Sequence, residues 1–200
     1  KDSHIPKDLE SEIISYLENI IADYDLVMIS DFGHGLISPA LQDFLCKTGK
    51  FVAVNAQTNS NNFGYNYITK YRDADYISID ENEIRLPYGD KYGELEALIK
   101  RLHEDTGCPS ITITLGQKGA VYSKDQVFNF APAFATNVVD SVGAGDAVLS
   151  VSALCALKEC PGDLLPYIGN CVGALAVQIL GNERPVNRTE LNKMISHMFK

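Results

Sequence analysis

Four short runs, LVMIS (26–30), FVAVN (51–55), YISI (76–79) and ITITL (111–115), are rich in β-branched and apolar residues and are separated by stretches of helical character. A strand with one face in water alternates apolar and polar residues, whereas a strand covered on both faces is apolar almost throughout. Helices must therefore lie above and below these strands. Residues 7–22 place Leu9, Ile13, Ile14, Leu17, Ile20 and Ile21 at helical spacing. Ser38 and Pro39 read as the N-cap and first residue of a helix running through Cys46 and stopped by Gly49, and residues 94–103 form a further amphipathic helix after a short helical turn ending at Pro87. Strands alternating with helices of this length pair in parallel through right-handed crossovers. The expected fold class is α/β: a three-layer sandwich around a mostly parallel central sheet. Ligands of such sheets collect at the carboxyl ends of the strands, where DFGHG (31–35) and LGQKG (115–119) stand.

From Gly119 the pattern changes. AVYS (120–123) and QVFNF (126–130), joined through Lys124 and Asp125, predict an antiparallel edge hairpin. Residues 145–158 and 163–180 are rich in Ala, Val, Leu and Gly and predict two buried helices, the second capped by Gly181. Asn187, with Glu190 three residues on, opens a last helix. Between the second and third strands lies QTNSNNFGYN (57–66), a long asparagine-rich loop for which ligand contact is the expected reason. No internal repeat or low-complexity tract interrupts residues 1–200, which read as one domain.

The chemistry concentrates in Asp140, Ser141, Val142, Gly143, Ala144, Gly145 and Asp146, followed at once by AVLSVSALCAL. Glycines let backbone approach a ligand closely, and the first turn of a helix offers N–H groups without intrahelical partners at the positive end of its dipole. An anion fits there. Asp146 then sits where an arriving phosphoryl group makes its negative charge unfavourable unless it takes up a proton, and taking a proton is what a general base does. The alternative reading is a helix start that uses its glycines for packing and its aspartate for the dipole. Asn170, a polar amide in the apolar stretch IGNCVGALAVQ, either satisfies a loop or reads the edge of a base.

The charge balance narrows the partners. Twenty-six acidic against 17 basic residues give a net charge of −9, a field that repels nucleic acid and anionic membrane. Any phosphate must be bound locally, by backbone and dipoles. Five cysteines, odd in number and without a C-x-x-C pair, argue against a disulfide framework or a zinc site and for a reducing compartment. No charged-then-apolar leader opens the sequence, and no run approaches the roughly 18 apolar residues of a membrane span, so a cytoplasmic location is expected. The first residue is Lys1 rather than Met, which reads as a fragment or a processed product.

TLGQKGA (114–120), the late DSVGAGD and Asn170, in this order, resemble the ribokinase-like (PfkB) family of carbohydrate kinases, over its carboxyl-terminal two thirds. SDFGHG followed by a βα unit looks most like the heptose-7-phosphate kinase branch, in particular relatives fused to cytidylyltransferase-like domains. The resemblance implies ATP and Mg²⁺ as cofactors and a sugar or sugar phosphate as the small-molecule partner. It implies that Asp146 is the catalytic base and that Gly143, Ala144 and Gly145 form the anion hole. Thr114, Gly116 and Gly119 match the nucleotide-binding strand end, and Asn170 a residue lining the adenine pocket. Asp80 and Glu83 occupy the family's N-x-x-E motif, which organises Mg²⁺ and the phosphates, often through water. Asp31 falls where the family often contacts the sugar.

Departures accompany the likeness. Asp80 replaces the family's asparagine, adding negative charge that either recruits a metal more strongly or repels ATP. Asn55, Ala56 and Gln57 stand where heptose kinases carry Asp, Pro and Lys, which removes a cation from the phosphates. His34, expected as an exposed turn residue, replaces a usual lysine, and Ser141 replaces threonine. The family's first third, with its lid and most sugar contacts, is not matched. The expected consequence is an uncovered sheet edge, met by dimerisation or by further segments of a longer polypeptide. The rival to a kinase is a catalytically silent module that uses the fold for ligand binding or assembly. Another doubly wound nucleotide enzyme is disfavoured because neither G-x-G-x-x-G after the first strand nor a Walker lysine motif occurs.

Overall fold

A computed structural model describes residues 3–60 and 62–198. One position of the asparagine-rich loop, Asn61, lies outside the described residues. The strands are β1 (Leu26–Asp31), β2 (Phe51–Ala56), β3 (Tyr76–Asp80), β4 (Ser110–Thr114), β5 (Ala120–Lys124) and β6 (Val127–Ala131). They lie side by side in sequence order in a six-stranded sheet. β1 to β4 are parallel, and β4, β5 and β6 are antiparallel. Asp125 and Gln126 form the two-residue hairpin turn, both with positive φ (50° and 65°), so Gln126 belongs to the turn rather than to the strand.

Because each parallel strand is laid down beyond the last, right-handed crossovers put their helices on one face. That face carries α2 (Pro39–Cys46) and α4 (Leu95–Thr106). Leu41 and Leu45 from α2 and Leu98, Ile99 and Leu102 from α4 bury against Val52, Val54, Ile77, Ile79, Ile111 and Ile113. Ile13, Ile14 and Leu17 of α1 (Lys7–Ile20) pack on the same cluster. On the opposite face, Leu149 and Ala153 of α5 (Ala144–Leu157) and Leu165 of α6 (Leu164–Ala176) pack on Ala53, Tyr76 and Tyr122. A short α3 (Glu81–Arg85) follows β3, and α7 (Arg188–Met198) packs on α6. Three layers result, as the apolar strands required.

Local signals set several boundaries. Ser38 Oγ accepts from the Leu41 N–H at 3.2 Å, with Pro39 in the first turn of α2. Asn187 Oδ1 accepts from the Thr189 N–H at 2.7 Å at the start of α7. Two helix ends differ from the sequence expectation. α4 runs three residues beyond His103, because His103 is buried between the Cys108 carbonyl (2.6 Å) and Ser123 Oγ (2.9 Å), and Gly107 ends the helix at φ 71°. α6 ends at Ala176 rather than 180, since the Val177 carbonyl is taken by the N–H groups of Val139 and Asp140 at 2.8 and 3.1 Å. Gly181 therefore sits in a separate 3-10 turn, Leu180–Asn182, at φ 55°.

Strand alternation decides which polar residues share a face. On β3, Ile77 and Ile79 enter the α2/α4 core, which turns Ser78 and Asp80 to the α5 side. On β1, Ile29 enters the same core, so Ser30 faces α5 and Asp31 does not.

Candidate active site

The turn 140–146 begins with Asp140, whose two oxygens accept from the N–H groups of Val142 and Gly181, each at 2.9 Å. Those two bonds hold its carboxyl below the ordinary aspartate value and tie the turn to the segment after α6. Gly143 follows at φ 76°, and a Cβ there would run into the Asn182 amide, so the position requires glycine. The first intrahelical bond of α5 comes from the Ala147 N–H to the Gly143 carbonyl at 3.0 Å. The N–H groups of Gly145 and Asp146 thus precede the hydrogen-bond ladder, and among the described residues neither has a partner. Above Gly145 the space is open, with nothing within 4 Å of an ideal Cβ.

Two hollows meet at this turn. One, of about 410 Å³, is lined mainly by apolar groups, among them Ala133, Phe134, Val138, Val148 and Val177, with Thr114, Gly116, Gly119 and Asn170 at its walls. Asn170 Nδ2 donates to the carbonyls of Ala131 (2.8 Å) and Pro132 (2.9 Å), so its donors hold the chain leaving β6 and its Oδ1 remains for a ligand. The structure thus bears out the reading in which this amide satisfies a loop. The second hollow, of about 810 Å³, is a polar cleft bordered by Asn55, Gln57, Asp80, Glu83 and Asp146. Thr114, Gly116, Ser141, Ala144 and Gly145 border both. Among the described residues no Lys, Arg or His lines either one.

Within the cleft, Asp146 Oδ1 accepts from Ser30 Oγ at 2.8 Å and Gln57 Nε2 at 3.1 Å. Asp80 and Glu83 form a capping box on α3. Asp80 Oδ1 accepts from the Glu83 N–H and Glu83 Oε2 from the Asp80 N–H, both at 2.8 Å. Glu83 Oε1 also accepts from the Thr58 N–H at 2.9 Å. Burial, and then the neighbouring charges of Asp80 and Asp146, push the Glu83 carboxyl up to about 7 against those bonds. Asn55 donates to the Ser78 carbonyl at 2.8 Å, while its own buried Oδ1 has no hydrogen-bond partner among the described residues.

A raised carboxyl has a consequence for stability. The unfolded chain releases the Glu83 proton near 4.5 while the folded chain keeps it until about 7, so the folded state binds more protons between these values. Stability from this group is full below 4.5 and is lost as pH rises through 7, by about 3 kcal/mol for a shift of this size. Urea unfolding of the metal-free protein at pH 5 and 7.5 should show that decline, and Glu83→Gln should flatten it.

Asp31 is placed elsewhere. Its Oδ1 accepts from the Gly33 N–H at 2.8 Å, and Oδ2 accepts from Tyr71 OH at 2.7 Å and pairs with Lys70 Nζ at 2.6 Å. It is 3% exposed and is not among the residues lining the cleft. The geometry therefore brings Asp146, Gly143, Ala144, Gly145, Thr114, Gly116, Asp80 and Glu83 around one cleft, with Gly119 and Asn170 in the adjoining cavity, and leaves Asp31 outside. Beside Asp146 it adds Ser30, which period-two counting along β1 from Ile29 identifies, and Gln57, which the sequence marks only as an absent cation. His34 is exposed, as its turn suggested.

The sequence profile of pfkB family carbohydrate kinases matches residues 7–188. The chain belongs to that family. It is 33% identical over 198 residues to a bifunctional protein HldE of Campylobacter jejuni subsp. jejuni serotype O:6, covering 94% of this chain and 42% of that protein. The HldE of Campylobacter fetus subsp. fetus is 29% identical over 87% of this chain and 38% of its own length. The chain thus spans about two fifths of the curated relatives it matches. Among solved structures, a putative ribokinase II from E. coli in complex with ATP and Mg²⁺ superposes with a TM-score of 0.72 at 19% identity, covering 90% of this chain and 61% of that one. The fold is ribokinase-like, with the antiparallel hairpin at one edge of the parallel sheet. Among the described residues no helix is long and apolar enough to cross a membrane.

Proposed function

We propose that this chain carries the phosphoryl-transfer half of an ATP-dependent carbohydrate kinase site, acting on a hydroxyl of a sugar or sugar phosphate of the heptose 7-phosphate kind. The observation that carries the reading is Asp146 beside two helix N–H groups unpaired among the described residues, at a turn shared by an apolar cavity and a polar cleft. The family assignment and the likeness to HldE proteins support it. Asp146 takes the proton of the attacking hydroxyl as its oxygen bonds to the γ-phosphorus and the bond to the β-phosphate oxygen breaks, its electron pair leaving with ADP. The N–H groups of Gly145 and Asp146, which the Gly143–Gly145 turn leaves unpaired among the described residues, meet the charge on the transferred group. Thr114, Gly116 and Gly119 line the approach of the nucleotide, with the Asn170 carbonyl at the base.

The donor set suits ATP and Mg²⁺. The open space at Gly145 admits a phosphoryl group, and the apolar cavity is of a size that small-molecule sites commonly have. When bound, ATP supplies the transferred group and Mg²⁺ the positive charge that no lining side chain provides. Asp80 and Glu83 would hold the ion, with water between. Among the described residues no three acidic, histidine or cysteine side chains gather closely enough to hold a metal alone, which suits an ion bound mostly by phosphates and water. Asp31 contributes through the loop it anchors.

ADP release by the full-length protein supplied with ATP, Mg²⁺ and heptose 7-phosphate tests the reading. A sugar-dependent rate is expected, and a rate no higher than without sugar overturns it. The absence of cations from the cleft favours a second reading, a silent binding module, for which calorimetry should then find sugar binding and no heat with ATP and Mg²⁺.

A further inference from the structure

Two amides of the asparagine-rich loop, Asn62 and Asn66, turn inward. Gln57 is the residue they converge on: its N–H donates to the Asp31 carbonyl at 2.8 Å, and its carbonyl accepts from Asn62 Nδ2 at 2.9 Å and Asn66 Nδ2 at 3.1 Å. Asn62 and Asn66 are 4% and 3% exposed. Asn66 is itself fixed, donating to the Asp31 carbonyl at 3.0 Å and accepting from Lys70 Nζ at 2.6 Å. A residue whose backbone is bonded three times by buried partners has little freedom, and its side chain emerges with Nε2 at 3.1 Å from Asp146 Oδ1. Ser30 Oγ reaches the same oxygen from β1 at 2.8 Å. Two neutral donors from different elements thus hold one oxygen of Asp146, and Oδ2 has no donor among the described residues.

We propose that Gln57, fixed by Asn62 and Asn66, is a positioning residue that acts with Ser30 to lock the Asp146 carboxylate so that Oδ2 is the oxygen presented to the acceptor hydroxyl. The inference rests on Asp146 as the base. An amide sets the direction of the carboxylate without neutralising it, so the position reads as a support and not as a missing phosphate cation. Preorganisation of this kind matters because a base displaced by about 1 Å loses on the order of a hundredfold in rate.

The test is steady-state kinetics of the full-length protein with ATP, Mg²⁺ and heptose 7-phosphate. Gln57→Ala should lower kcat by about 10- to 100-fold with KM for ATP changed by less than about twofold, since only the transition state uses the oriented oxygen. Ser30→Ala should lower kcat by about tenfold, Ser30→Thr, which keeps the hydroxyl, should restore most of it, and the Gln57→Ala, Ser30→Ala pair should lose less than the product of the single losses. Thermal melting checks that each variant is folded; if Gln57→Ala is not, the Ser30 pair decides. Turnover within about twofold of wild type in Gln57→Ala, or equal losses in the two Ser30 variants, overturns the role. Asp146→Asn separates the failures: if it is inactive while Gln57→Ala is fully active, only the positioning fails. If Asp146→Asn retains full turnover, or the unmodified protein has none, the base fails and the positioning with it.

Discussion

Asp146→Asn is expected to lower turnover of the full-length protein by about 10²- to 10⁴-fold, the range for removal of a general base. The substitution keeps the size and planarity of the side chain at the start of α5, and the buried residues Leu149 and Ala153 that anchor the helix are untouched. Nucleotide affinity should barely fall, because the base-sized cavity is walled by apolar groups and by Asn170. A slight gain is the more specific expectation. Asp146 is one of the charges that push the Glu83 carboxyl up, so its neutralisation removes repulsion from a cleft in which no lining side chain is cationic. Calorimetry with ATP and Mg²⁺ should therefore give an equal or tighter Kd beside the collapsed kcat. Undiminished turnover sinks the assignment of Asp146, and a large loss of nucleotide affinity assigns the residue to binding instead.

The parts of the fold legible in the sequence were those with local causes. Apolar runs fixed the four parallel strands, Ser38 and Pro39 the start of α2, and the turn near Asp125 the edge hairpin. The motif residues around Gly143 converge because a helix start and two strand ends meet at one end of the sheet. What escaped depends on partners distant in sequence. Asp31 is the conspicuous charged residue at the end of β1, yet a step of one residue along a strand reverses its face, and it is Ser30 that reaches Asp146. Gln57 stands out in the sequence only as an absent lysine; its role needs Asn66, nine residues on, and Asp146, 89 residues on. The end of α6 is set by Val139 and Asp140, from before α5, so no signal near Gly181 could have shown it.

Gly119→Ala should be the most damaging single-methyl change among the glycines of the candidate site. Gly119 adopts φ 113° and ψ −136°, a conformation essentially confined to glycine. A Cβ there would collide with the Ala131 carbonyl oxygen and lie 2.8 Å from Pro132 Cα. These are backbone atoms, so no side chain can swing away. Strain and overpacking together should cost about 4 kcal/mol, lowering Tm by about 8 to 16 °C for a chain of this size. The displaced segment is the one whose two carbonyls Asn170 holds, so nucleotide affinity should fall as well. Gly116→Ala makes the contrast. Its φ is 57°, which costs a non-glycine residue only about 1 to 2 kcal/mol, and nothing lies within 4 Å of its ideal Cβ. Its methyl would instead stand where the cavity and the cleft meet. Gly116→Ala should accordingly melt only about 2 to 8 °C below wild type yet bind nucleotide more weakly, whereas Gly119→Ala loses both. Equal melting temperatures for the two variants would show that the close approach of Gly119 to β6 is not what holds this end of the cavity open.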